Sequence, residues 1–391
     1  MEHKQVAAFV NEAAKEALGL EALVNEDLSL VVDAGKKLDD MFNNNTNLVD
    51  PFTKVLVNRI GNSIIVNRPY EGRAPSIVVD RARYGSITMK ISTEPPDAVD
   101  NAAWQLTDGR SYDDSIFHQP IVNAKYFNKR ETFRIDRSLA LKQMEESFTG
   151  PEMINAFVSS LETATKTAIT IREDELVMRT VNNFIAETLY NEYPTAAYSA
   201  SSGVRAINLL KLYNDSTGSS LTAAKAIYDP AFIRFASYKM KTVADRMITA
   251  STLFNLGGQV RYTPKDRMLG VLHADFRAAA ETYLYNAAGQ FRDEYLQLPA
   301  ADSTPYWQGS GTSYALADTT EIDVKTTEGH TVNAGGILGV LFDRDALGVS
   351  NLEQHVETKL VKSARFINMF HFWDCGHWND YNENFVVFFV A

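Results

Sequence analysis

One stretch constrains this chain more than any other. Residues 151–190, PEMINAFVSSLETATKTAITIREDELVMRTVNNFIAETLY, run on from Pro151 with no further Pro and no Gly until Pro194. Ile154, Phe157, Val158, Leu161, Thr165, Ala168 and Ile169 recur at three- and four-residue steps, the stripe of a single helix. Thr149-Gly150-Pro151-Glu152 supplies the start: a capping residue, a break, a Pro for the first turn and a carboxylate behind it. At 1.5 Å per residue the helix would be roughly 55–60 Å long. That is more than a small globule needs, and it predicts a spine crossing a broad, flat subunit. A long core helix of an α+β enzyme would show the same stripe.

The rest of the chain is arranged around this spine. Its 391 residues are enough for two or three domains. Residues 1–42 are predicted helical, with Val6, Val10, Ala13, Ala14 and Ala17 on one face and a break near Gly19 before a second run over 20–42. The polar tract Asn43-Asn44-Asn45-Thr46-Asn47 then reads as a linker. Short apolar runs follow at 55–57 and 64–66, and residues 75–135 read as β. Ser86-Ile87-Thr88-Met89-Lys90-Ile91-Ser92 alternates as a half-exposed strand does, and a second β region covers 121–127, with further alternation at Phe133 and Ile135. Two β arms flanking an irregular tip predict a protruding hairpin. After the spine come helices over 204–213, 221–228 and 232–249, a strand at 268–273, a helix at 275–285, strands near 314 and 322, and a strand at 337–342. The run Phe385-Val386-Val387-Phe388-Phe389-Val390 predicts a strand buried on both faces.

Candidate chemistry is sparse. The tract His371-Phe372-Trp373-Asp374-Cys375-Gly376-His377 holds residue types that bind zinc, and on a strand His371, Cys375 and His377 would share a face. Strand packing explains the same spacing, and no second ligand cluster stands elsewhere, so no stoichiometric metal is expected. No P-loop, nucleophile elbow or zincin motif occurs. Gly309-Ser310-Gly311 lacks a strand-to-helix context, and the acidic pairs Asp113-Asp114 and Asp343/Asp345 lack partners for acid/base work. Lys241, Arg246, Arg261, Lys265 and Arg267 form a modest basic patch, read as a solvated face or a subunit contact. The net charge of −11 opposes a surface built to grip phosphates. The single cysteine, Cys375, excludes an intrachain disulfide. No signal-peptide core and no membrane span are expected.

Four stretches carry a family resemblance: Val57-Asn58-Arg59-Ile60-Gly61 before the hairpin; FTGPEMINAFVSSLETATKTAI from Phe148 into the spine; His273-Ala274-Asp275-Phe276-Arg277-Ala278 as a strand-to-helix step; and GILGVLFDRDAL at 336–347, with aromatic strands after it. In this order of parts the chain resembles tailed-bacteriophage major capsid proteins of the HK97 fold. It is most similar to those of the phi29-like short-tailed phages of Gram-positive hosts.

The resemblance implies an α+β fold in four parts. These are an N-terminal arm at 1–47, an extended hairpin (the E-loop) at 72–130, a peripheral domain from 48–71, 131–204 and 351–391, and an axial domain at 205–350. No immunoglobulin-like domain, carried by some members, is expected here. The resemblance further implies a structural protein with no catalytic, cofactor or metal residues, which self-assembles as pentamers and hexamers into an icosahedral or prolate shell around double-stranded DNA. Scaffolding protein, portal, and head fibre or decoration proteins would be its partners, with no membrane. It would assemble in the host cytoplasm and reside in the virion. Some members crosslink a Lys to an Asn, but no motif identifies such a pair. Two rivals stay open: an encapsulin-like shell around a cargo enzyme, and a metal-dependent enzyme using His371, Cys375 and His377.

Overall fold

A computed structural model describes residues 3–20, 22–44, 51–52, 55–56, 74–80, 88–93, 96, 104–111, 117, 119–140, 142–143, 146, 149–283, 301–307 and 321–391. The resemblance stretch at 57–61, the apolar run at 64–66, the pair Asp113-Asp114, the loop Gly309-Ser310-Gly311 and the strand expected near 314 lie outside them.

Helices α1 (His3–Leu18) and α2 (Val31–Asn44) precede strands β1 (Val78–Asp80), β2 (Thr88–Thr93), β3 (Val122–Phe127) and β4 (Arg130–Ala140). The spine α3 (Pro151–Glu192) follows, then β5 (Ala206–Asn208), α4 (Leu209–Thr217), α5 (Ala223–Ala226) and α6 (Pro230–Met247). Next come β6 (Met268–His273), α7 (Ala274–Tyr283), β7 (Ala301–Thr304), β8 (Ile322–Lys325) and β9 (Thr331–Ala334). The chain closes with β10 (Ile337–Asp343), β11 (Leu347–Val361), β12 (Phe366–Asn379) and β13 (Phe385–Phe389).

The spine has 42 residues, starts with Pro151 in its first turn and is therefore about 63 Å long. Its first half packs on one sheet, and its second half reaches that sheet and a second one. In the first half Ile154, Val158, Leu161, Thr165 and Ile169 form the single buried stripe. There Leu161 packs with Leu139 and Met369 of a four-stranded sheet, ordered β1-β11-β12-β4. From Glu173 to Leu189 most side chains are buried, on more than one face. In this half Phe184 stacks on Phe385 with ring centroids 4.0 Å apart. The Asn182 amide donates to the Trp307 carbonyl at 2.6 Å.

Phe385 belongs to a five-stranded sheet, ordered β5-β13-β10-β6-β7, that lies between two cores. Alternate residues of one strand face opposite sides. Thus Phe385, Val387 and Phe389 join the core shared with α1, α2 and α3, while Val386 and Phe388 join a second core with α4, α6 and α7. The prediction of a strand buried on both faces is met at β13, where all five residues are buried.

Several boundaries differ from the sequence expectation for local reasons. The second N-terminal helix begins at Val31 rather than near residue 20. The Asn11 side chain accepts from Leu23 N and Val24 N and donates to the Val24 carbonyl, and Leu28 has φ +59°, so this segment turns instead of coiling. The helix expected from 204 gives way to β5, which pairs parallel with β13. Asn208 then caps α4, its side chain accepting from Lys211 N at 3.1 Å. Strand β11, 15 residues long, was not anticipated; it pairs antiparallel with β12 along nearly its whole length.

Candidate assembly surface

The hairpin of β2 and β3 pairs in register from Thr88↔Phe127 to Thr93↔Val122. Its pleat sorts side chains into two faces. One face carries Ile91, Val122, Ala124 and Tyr126 into solvent, with Ile91 59%, Val122 53% and Tyr126 65% exposed. Nearby in sequence, Trp104, Leu106, Phe117 and Ile121 are also exposed. An apolar strand face left this exposed is a candidate interaction surface.

The other face carries Lys90 and Lys125, directly opposite one another. Both reach the turn between β12 and β13. Lys90 Nζ lies 2.9 Å from Asp380 Oδ2 and 2.7 Å from Glu383 Oε1, and Lys125 Nζ lies 2.8 Å from Asp380 Oδ1. Arg261 Nε adds a contact to Glu383 at 3.2 Å. Asp380 is driven against its burial to a lowered pKa by the two lysines, and Lys90 is correspondingly raised. Glu383 goes the other way: burial and the nearby Asp343 outweigh its cations and raise it. The two carboxylates thus divide the roles, Asp380 holding the firmer charge.

The zinc-type tract lies on β12. His371, Trp373 and Cys375 point inward, buried. Successive inward residues on a strand are about 6.7 Å apart, so His371 and Cys375 are about 13 Å apart and cannot share an ion. Cys375 Sγ contacts Asn351 Oδ1 at 3.4 Å, and Trp373 Nε1 donates to Glu173 Oε1 of the spine at 3.0 Å. His371 is 2% exposed, and burial together with Arg137 pushes its pKa down to about 4. Burial, Arg179 and Lys129 also lower His377. Both imidazoles are thus biased towards the neutral form, and Trp373 and Cys375 are engaged with the spine and with β11. Among the described residues no group of three His, Cys, Asp or Glu could hold a metal.

The other candidates resolve as structural pairs. Arg267 bridges Asp345 at 2.5 Å and Asp343 at 3.8 Å, so the acidic pair closes the β10–β11 turn. In the basic patch, Arg261 serves Glu383 and Lys265 lies 3.6 Å from Asp245. Sequence reasoning missed the lysine–carboxylate cluster, because its ion-paired partners are 255 to 293 positions apart. The one local signal was that Lys90 and Lys125 each sit on the polar phase of an alternating run.

Among solved structures, the chain is similar to the capsid of Staphylococcus phage Andhra, at 8% identity and TM-score 0.48, covering 81% of this chain and 83% of that one. It is similar to a chain from the structure of the head fibre and inner core protein gp22 of native bacteriophage P68, at 9% identity and TM-score 0.47, covering 83% and 86%. It is also similar to the capsid of cyanophage P-SCSP1u, at 10% identity and TM-score 0.45, covering 80% and 86%. No curated protein matches it. A family model described as Phi29-like phage major capsid protein matches residues 6–389.

That match sets the class: a structural protein of the bacteriophage head, with an α+β capsid fold, found in the virion. The chain belongs to the Phi29-like phage major capsid protein family, and its function is to build the head shell. The rival readings, a cargo shell and a metalloenzyme, find no support. Among the described residues no helix is long and apolar enough to cross a membrane.

Proposed function

We propose that this shell subunit uses the HK97-like division of labour, with the hairpin as the arm that lies on a neighbouring copy. The observation that carries the reading is the two-faced hairpin: one face ion-paired to its own chain, the other apolar and exposed. The arm at 1–47, the E-loop at 72–130, the peripheral domain at 48–71, 131–204 and 351–391, and the axial domain at 205–350 follow this reading. The second core, on α4, α6 and α7, lies in the axial segment apart from β13 and Val390, whereas the first, centred on the spine, also takes in Leu269, Val271, Val340 and Phe342 of the axial segment. Strand β13 lies in the peripheral segment yet pairs with β10 of the axial segment, so the two domains share a sheet.

The subunits close as pentamers and hexamers around double-stranded DNA. The net charge of −11 keeps the shell from trapping that DNA. Scaffolding protein, portal and head fibres are partners, and assembly takes place in the host cytoplasm. The test is sedimentation and electron microscopy of the purified chain, alone and co-expressed with neighbouring phage genes. Shells or capsomer rings are expected. A monomer under every condition would overturn the reading.

A further inference from the structure

Lys90 and Lys125 are cross-strand partners, and like charges placed directly opposite each other destabilise a strand pair. A two-stranded ribbon is already marginal in water. The pairing is therefore unfavourable unless something neutralises the two ammonium groups together. Asp380 does so: its Oδ2 takes Lys90 and its Oδ1 takes Lys125, so one carboxylate spans both strands. Glu383 adds a second contact to Lys90 at 2.7 Å. The side chains of Asp380 and Glu383 are 2% and 9% exposed, where pairing is little screened by water.

The receiving turn is itself held firmly. Asp380 N donates to the Ala346 carbonyl at 2.6 Å, Glu383 N to the Asp380 carbonyl at 3.0 Å, and Asn382 N to Asp380 Oδ1 at 3.2 Å. This turn is also the joint at which the chain leaves the four-stranded sheet through β12 and enters the five-stranded sheet through β13.

We propose that Asp380 and Glu383 are positioning residues for the hairpin of the same chain: they fold it and dock it in one event, through Lys90 and Lys125, and so keep its apolar face turned outward for a second copy. The last clause rests on the reading of the hairpin as an assembly arm. The latch closes within a subunit, not between subunits, and ties the arm to the joint between the two sheets. An undocked hairpin is an unpaired one, because its lysines then face each other without a counter-ion.

The experiment is amide hydrogen exchange on the unassembled full chain, with two double variants. Asp380→Asn with Glu383→Gln removes the receiving charges and keeps the side-chain shapes. Lys90→Gln with Lys125→Gln changes only partly exposed residues and covers the case in which the first variant fails to fold. Exchange over 88–93 and 122–127 should rise at least tenfold in both, and more in the carboxylate variant, whose lysines still repel, while β13 stays protected. Unchanged exchange in the hairpin would overturn the latch. Assemblies of the mixed variants should show no more hairpin protection than assemblies of either variant alone; protection above both would mean that the latch closes between subunits and would refute the proposal as stated. Electron microscopy separates the underlying reading. Loosened hairpins with normal shells would leave the latch standing and sink the assembly-arm reading.

Discussion

In β13 the side chains of Phe385 to Phe389 are all buried, and they feed the two cores alternately. In the β2–β3 hairpin, Ile91, Val122 and Tyr126 alternate just as regularly, yet they are left in solvent. Both elements are short, both carry β-branched and aromatic residues, and both keep strand period. The difference lies in what stands opposite. β13 has β5 on one edge, β10 on the other and helices over both faces, whereas the described hairpin pairs with itself and keeps Ile91, Val122 and Tyr126 exposed. Apolar residues at strand period therefore do not by themselves say where a strand is buried: β13 is buried within the subunit, while the outer face of the hairpin is exposed in the single chain.

The comparison is broken most severely by removing β13. Cutting the chain after Asn384 deletes six buried residues, Phe385 to Val390, each worth about 1.5–3 kcal/mol, against a total stability of about 5–15 kcal/mol. No cooperative melt by circular dichroism is expected; a soluble truncate with a native spectrum would contradict the assignment. A smaller break at the same place is Phe184→Ala, which removes the spine ring stacked on Phe385. It should cost about 3–5 kcal/mol, measured by urea unfolding, and leave the hairpin's exchange unchanged.

A third test sharpens the buried side. The His371 imidazole stays neutral in the folded chain down to about 4, while the unfolded chain takes up the proton near 6.5. The unfolded state thus binds more protons in that window, so stability falls as pH drops from 6.5 towards 4, by at most about 3 kcal/mol. His273 and His377, whose pKa values burial also lowers, act in the same direction. Urea unfolding at pH 7 and pH 4.5 should show the loss. His371→Leu should shrink the difference between the two pH values, and an unchanged difference would mean that His371 is not the group responsible.

The regular elements were legible where the sequence carries its own period. The spine's stripe from Ile154 to Ile169, the strand at Met268–His273 and the all-apolar β13 could be read directly. The second half of the spine was less clear, because Glu173, Asp174 and Asn182 interrupt its apolar pattern. These residues are buried by partners from distant strands, such as Trp373 on Glu173. The strand β11 alternates only in its outer half and gains its identity from pairing with β12. The zinc-type tract shows the same limit: one strand face can gather ligand types without bringing them to one point. The latch was invisible, since a lysine on the polar phase of a strand looks like any solvated lysine until the turn at Asp380 is folded beneath it.

The central claim is that the hairpin's outer face serves assembly and not folding. The triple variant Ile91→Ser, Val122→Ser, Tyr126→Ser tests it most directly, because all three side chains are exposed in the single chain. Exposed substitutions of this kind usually change stability by no more than about 0.5 kcal/mol each. The variant should therefore melt close to the unmodified protein, and electron microscopy should show free subunits or capsomers in place of closed shells. Normal shells would contradict the account. So would a collapsed melting transition, which would return these residues to the subunit's own core.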